Sequence, residues 1–390
     1  MTLSSSTSGA SHRLLLNTFD RLSLAYFTLL ALAAVDSIGY SVIGPVLPAL
    51  AKTAHVDPLV AGIIVAGFPF GMIFGFAVAG STVRRFGARA TLFGALFLVA
   101  GGTIGFIMAD STAGYLASRA VMGLGSGGLW LGITFSTLER WPGQEYRCMS
   151  RILAAYSAGA LGGPALGALG GVRTPFVAYL VFVAAGFALA TVLPAAAERR
   201  TFASDRVELR RPRFWVAVVA IMLAMLGTGL IDGALPLHFS TKLTQAEIGG
   251  CFAGLAIIVA FASVGAGHLR PRWATALGAV LLVVGIELSG ATTTVGSWLP
   301  ALGIVGAGIG MGQTGATGLL LDTVPTERIV SAMVVWSQMA ILGYLIAPVA
   351  GGALGQALGY RSLGIAPAAM AVLLVATTVF ARYRRIRPSS

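Results

Sequence analysis

Charge is what this chain has least of. Only 10% of its 390 residues are Asp, Glu, Lys or Arg, while 56% are hydrophobic and the mean hydropathy is +0.86. Soluble domains carry about 25% charged residues, so a soluble globular protein is excluded. Lysine is confined to Lys52 and Lys242, and cysteine to Cys148 and Cys251, too few and too far apart for a disulfide framework or a metal site. No G-x-x-x-x-G-K-[ST] phosphate loop is present, which argues against ATP as an energy source. The histidines, His12, His55, His238 and His268, never form H-E-x-x-H. Gly123-Leu-Gly-Ser-Gly-Gly128 fits G-x-G-x-x-G, but no strand precedes it and it sits within an apolar segment, so it is not a nucleotide site. The alternation of a membrane β-barrel is missing as well. The class left is an all-α integral membrane protein.

What is present is a series of apolar runs, each near the ~20 residues that span a bilayer. They fall at about 22–50, 57–80, 88–109, 113–138, 151–171, 174–195, 213–239, 245–267, 273–291, 297–321, 331–357 and 360–381. Twelve spans in two six-helix bundles follow: a tail at 1–21, a first bundle at 22–195, an arginine-rich linker at 196–212, a second bundle at 213–382 and a tail at 383–390. The net charge of +12 does not indicate nucleic acid, because the basic residues alternate between loops. All but five of the 26 basic residues lie in the termini or the loops after even-numbered helices. The exceptions are Lys52, Arg173, Lys242 and Arg361 in the other loops, and Arg119 inside a helix. By the positive-inside rule both termini are expected in the cytoplasm, with the protein in the cell (inner) membrane.

Glycine is as abundant as charge is rare. Gly159, Gly163, Gly167 and Gly171 recur every fourth residue around Pro164, a spacing that bares one helix face for close approach by another backbone. A second such run holds Gly343, Ala347, Pro348, Gly351 and Gly352, continued by Gly355 and Gly359. At an offset of 183, Gly123, Gly125, Gly127, Gly132, Glu139 and Pro142 fall on Gly306, Gly308, Gly310, Gly315, Asp322 and Pro325. The ridges match at 184, and Leu47-Pro48 matches Leu235-Pro236 at 188. Parallel repeats of six helices point to a transporter with its substrate near the midplane, between halves.

These residues resemble the major facilitator superfamily, and within it the twelve-helix drug:proton antiporters. Gly159, Gly163, Pro164 and Gly167 match that family's antiporter motif, with Ala168 in place of its last glycine. Gly80, Arg85, Gly87 and Arg89 resemble the signature of the loop between helices 2 and 3. Arg84 stands there where an acid is expected, and Ala88 where an arginine is. Asp36 followed by Pro45-Val-Leu-Pro48 resembles the family's buried acid and P-x-x-P, and Arg119 its membrane arginine. The resemblance implies proton-coupled export by alternating access, powered by the proton gradient without a cofactor. The implied partners are a small-molecule substrate, protons and the lipid bilayer, with no nucleic acid, and the chain is expected to be a monomer.

An acid at membrane depth is costly, so Asp36 reads as a site that loads and releases a proton in competition with substrate. The plainer reading is a structural acid bonded to neighbouring helices. Arg119 shares a helix face with Ser126 and Trp130, and either tunes Asp36 or holds helix 4 against helix 1. Asp232, aligned with Gly44 rather than Asp36, reads as a second proton site, an anchor for cationic substrates or an outer-gate hydrogen bonder. Tyr40, Tyr156, Gln313, Trp336, Gln338 and Tyr344 stand on helices that line the cavity in the fold the chain resembles, and suit an amphipathic ligand. Gly343, Pro348 and Gly351 are expected, with the Gly159 ridge, to let the bundles pack and tilt. Glu287 reads as a snorkelling acid and His238 as an interfacial residue, while Glu139 and Asp322, at equivalent helix ends, each read as a structural ion pair with the arginines beside them. Export of drug-like amphiphiles is the leading expectation. A dedicated exporter of one sugar, amino acid, lipid or antibiotic is the alternative; an intramembrane enzyme and a non-transporting sensor are rivals from other classes.

Overall fold

The computed structural model describes residues 7–141, 144–193, 212–324 and 329–386. The linker at 196–211, Pro142, Pro325, the outermost residues of both tails and the Arg84 side chain lie outside the described residues. The described chain is helical throughout: α1 (Thr7–Ser41), α2 (Ile43–Thr53), α3 (Pro58–Phe86), α4 (Ala88–Met108), α5 (Thr112–Arg140), α6 (Glu145–Gly167) and α7 (Thr174–Thr191) form the first half. The second half holds α8 (Pro212–Gly233), α9 (Leu235–Phe239), α10 (Gln245–Ala266), α11 (Pro271–Ala291), α12 (Val295–Leu321), α13 (Ile329–Leu358) and α14 (Ile365–Ile386). Ten spans among the described residues are long and apolar enough to cross a membrane. The long helices α5 and α6, more polar because they carry Arg119 and the basic start of α6, complete the set of twelve.

The opening span of each half is broken. Pro45 has no N–H for the carbonyl four residues back, at Ser41, where α1 ends; Pro236 does the same to Asp232 at the α8–α9 joint. The single helix expected over 22–50 is therefore two pieces. The glycine ridges also stop earlier than their spacing suggested. Gly170 and Gly171 lie beyond the end of α6 with φ of +90° and +70°, and Gly359 (φ +78°) leads from α13 into a short 3-10 turn. These are left-handed turn positions, which glycine alone takes without strain.

The ridges serve both kinds of contact: most of their glycines pack within a half, while Gly352, Pro164 and Pro348 lie where the halves meet. A Cβ at Gly159 would meet the Ala34 backbone and one at Gly163 the backbone at Ser41 and Val42, seating α6 on α1; Gly343 meets Met222 and Gly351 meets Leu230 and Ala234, seating α13 on α8. The glycines of the 183 offset also have equivalent neighbours. Gly125 and Gly132 press on α4 while Gly308 and Gly315 press on α11; Gly127 presses on α3 and Gly310 on α10.

The halves meet at the end of the molecule away from the chain termini, here termed the distal end. Gly62 packs on the Pro348 backbone, and Gly352 on Pro58 and Leu59, where α3 crosses α13. Gly249 of α10 packs on Pro164 and Ala168 of α6. Two side chains bridge the rim: Gln245 donates to the Gly167 and Gly171 carbonyls at 2.8 and 2.9 Å, and Gln356 donates to Asp57 at 3.3 Å. Gly80, near the proximal end of α3, has nothing within 4 Å of the space a Cβ would take.

Backbone contact of this kind leaves no room for a side chain. Gly159→Leu is expected to destabilise the first half by about 1–3 kcal/mol, whereas Gly94→Leu, pointing into open space, should stay within about 0.5 kcal/mol. Thermal unfolding of the two variants in detergent, compared with the parent, checks this; equal melting temperatures would contradict the packing.

Candidate substrate and proton site

Just beneath the distal seam lies a buried polar cluster drawn from both halves. Asp36 is on α1, 2% exposed, one turn before Tyr40. Its polar neighbour is Ser126 on α5, close enough to interact with the carboxyl. Neither Asp36 Oδ2 nor Ser126 Oγ completes a hydrogen bond, and Ser37 Oγ and Tyr40 OH are also buried without a partner. Tyr156 of α6 and Tyr179 of α7 lie within electrostatic reach of the same carboxyl. No basic group stands in ion-pair contact with Asp36 among the described residues.

Arg119 is fully buried and faces protein. Among the described residues it makes no ion pair with Asp36. Its Nη1 donates to the Gly39 carbonyl at 3.3 Å and its guanidinium lies over the Phe68 ring at 4.6 Å. The groups around it are Tyr344, Asp232, Tyr179 and Tyr40. The Gly39 hydrogen bond ties α5 to α1, and the acid within electrostatic reach of Arg119 is Asp232. The reason is helical register. α5 runs antiparallel to α1, so Ser126, two turns proximal of Arg119, is the residue that comes level with Asp36.

Asp232 is 6% exposed, and its Oδ2 accepts from the Tyr344 hydroxyl at 2.9 Å. The Tyr344 ring meets Tyr40 of the other half at 4.7 Å between centroids. A Cβ on Gly44 would come within 3.2 Å of Asp232 Oδ1, so the aligned positions of the two repeats face one another.

Toward the proximal side stand the half-exposed residues of the cluster. Trp130 meets Tyr156 edge-on at 5.6 Å; Gln313 donates to Met225 Sδ at 3.6 Å; Trp336 and Gln338 are half-exposed on α13, and Trp336 Nε1 has no hydrogen-bond partner. Tyr40 and Tyr344 are instead buried in the seam. The arrangement is an aromatic surface with scattered amide and hydroxyl groups, leading up to one carboxyl that no cation neutralises.

Tyr179 escaped the sequence reading. Its hydroxyl rests against the Gly39 backbone, within electrostatic reach of both Asp36 and Arg119. The signal was its place on the buried stripe Phe176, Tyr179, Val183 and Gly186 of α7, where it is the only residue with a hydroxyl. Other expected residues fall outside the cluster. His238 bonds the Thr292 carbonyl at 3.0 Å within a packed ring group with Trp298 and Tyr360. Glu287 is exposed, as a snorkelling acid would be. Asp322 caps the end of α12 and is exposed, while Glu139 is half-buried beside Arg140. In the loop after α3, Gly87 takes φ +85° between the helices, Arg89 donates to the Thr191 carbonyl at 3.0 Å, and Arg85 lies over Phe86.

Two repeated six-span halves around a buried polar cluster at their seam define a membrane transporter, not an enzyme. The family follows from comparison. The Major Facilitator Superfamily model matches residues 29–329 and 217–390, and the chain belongs to that superfamily. Compared with curated proteins, the chain finds no match in sequence. Among solved structures it is similar to a bacterial homolog of the human lysosomal transporter Spinster, in an inward-facing and unoccupied conformation. The two share 14% identity with a TM-score of 0.76, over 93% of this chain and 97% of that one. It is similar too to the human organic anion transporter MFSD10 (16% identity, TM-score 0.67, 91% of this chain and 99% of that one). A POT family transporter bound to a conjugated peptide matches at 11% identity and TM-score 0.75, over 92% and 96% of the two chains. At these identities the likeness is one of fold.

A carboxyl with no cation beside it gains nothing in the fold from being charged. Asp36→Asn is accordingly expected to unfold at the same temperature as the parent or higher. A melting temperature lowered by several degrees would instead identify Asp36 as a structural acid.

Proposed function

We propose that this protein is a proton-coupled antiporter that exports amphipathic or lipophilic small molecules by alternating access, driven by the proton gradient without a cofactor. The observation that carries this reading is Asp36: an acid buried at membrane depth, with an oxygen free of hydrogen bonds and no cation in contact. Such a group is cheap to keep neutral and expensive to keep charged, so it holds a proton until a competing ligand or water reaches it. The half-exposed Trp130, Tyr156 and Trp336 supply aromatic surface for the apolar body of a substrate, and Gln313 and Gln338 supply hydrogen bonds that orient it.

On this reading the cycle turns on the seam between the halves. With both termini in the cytoplasm of the cell membrane, the closed distal seam makes this the inward-facing form, open to substrate from the cytoplasm. Binding displaces the Asp36 proton, the halves rock about the seam, and a proton from outside displaces the substrate. The transporter acts as a monomer, since one chain holds both halves of the site.

The test is transport in vesicles carrying an imposed pH gradient and a pH-sensitive dye, with lipophilic cations, neutral amphiphiles, sugars and amino acids added in turn. Lipophilic compounds are expected to collapse the gradient with the parent protein and not with Asp36→Asn. Full uphill transport by Asp36→Asn would sink the assignment. A response to a single sugar or amino acid alone would move the dedicated exporter ahead.

A further inference from the structure

Arg119 stands on α5 of the first half and Asp232 on α8 of the second, so the seam between the halves runs between them. Each is within electrostatic reach of the other, yet no ion-pair contact joins them. Arg119 spends one N–H on the Gly39 carbonyl, and its Nε and Nη2 are buried with no acceptor. A buried guanidinium is costly unless an anion compensates it. Its other neighbours are the Phe68 ring and the phenols of Tyr40, Tyr179 and Tyr344, none of which is an anion. Asp36 faces Ser126 instead. The acid within reach of Arg119 is Asp232, and it comes from the opposite half.

We propose that Arg119 and Asp232 form a charge latch between the halves. Their attraction holds the distal seam shut while Asp232 is ionised, and a proton on Asp232 releases it. This rests on the alternating-access reading above but not on proton-coupled export. The sign follows from geometry. Opening the distal end moves the two halves apart, so any attraction across the seam is lost on opening and favours the closed form. In a medium of low dielectric that attraction persists without direct contact. The groups facing Asp232 are Tyr344 from α13, Tyr40 from α1, Tyr156 from α6 and Arg119 from α5; Gly44 of α2 and Phe252 of α10 bring no charge. Arg119 is the single cation among them. Tyr344 completes the device by donating to Asp232 Oδ2, which steadies the carboxylate on its own half.

Thr53 and Ala357 are exposed at the distal ends of α2 and α13, one in each half. Spin labels on Thr53→Cys and Ala357→Cys, with Cys148 and Cys251 replaced by serine, report the width of the seam in lipid nanodiscs without substrate or gradient. Asp232→Asn is expected to lower the closed-to-open ratio by about fivefold, an ordinary coupling between sites. Arg119→Gln should give the same shift, and the double variant no more than either single one. In the parent the seam should widen as pH falls, and Asp232→Asn should abolish that response. Arg119→Lys, which keeps the charge, should leave the width unchanged and serves if Arg119→Gln fails to insert. A seam in Asp232→Asn as narrow as the parent's, or narrower, overturns the latch; so does a pH response that survives the substitution. Because the distance needs no transport, a protein that moves no protons in vesicles would end the antiporter reading and leave the latch standing.

Discussion

Lipid gives helices no hydrophobic reason to associate, so everything in this fold depends on how closely backbones can approach. Glycine decides that. Where Gly71 and Gly123 meet the backbones of α5 and α3, or Gly278 and Gly308 those of α12 and α11, a single Cβ would overlap main-chain atoms. Dispersion and carbonyl contacts over such surfaces hold the spans, and they also place the polar groups. Gly39 admits the Tyr179 hydroxyl, and Gly44 leaves the space that Asp232 faces. The site is built into gaps that glycine leaves.

Two kinds of contact divide the work. Those inside each half pair matching helices and are repeated in both halves: α6 on α1 as α13 on α8, α5 on α4 as α12 on α11. Those between the halves gather at the distal rim, where α3 crosses α13 and α6 crosses α10. The first set packs each half; the second confines the contact between halves to one end of the molecule. The polar cluster lies just beneath that seam, so a change of charge in it acts near the axis about which the halves would move.

Much of this was legible in the sequence. Composition alone gave a helical membrane protein, and the glycine offsets of 183 and 184 gave the repeat, because identical packing demands bare positions at identical places. The burial of Asp36, Arg119 and Asp232 followed from their depth in apolar runs. What could not be read was which side chains meet. Arg119 was expected either to tune Asp36 or to hold its helix against helix 1; it bonds the Gly39 carbonyl of α1, and the acid within its electrostatic reach is Asp232. The last glycines of the two runs, Gly171 and Gly359, keep the ridge spacing yet lie past the helix ends, since periodicity carries no mark of where hydrogen bonding stops. Tyr179 sat in a run so apolar that its one hydroxyl went unnoticed.

The pairing of Gly44 with Asp232 has a consequence for how such a chain can arise by duplication. Two identical second halves would set carboxyl groups face to face across the seam, where both cannot be ionised at once. Two identical first halves would leave only glycines there and no charge for Arg119 to meet. The two repeats share their scaffold glycines but differ at this position, so neither half taken twice would supply both the carboxyl and the small residue that faces it.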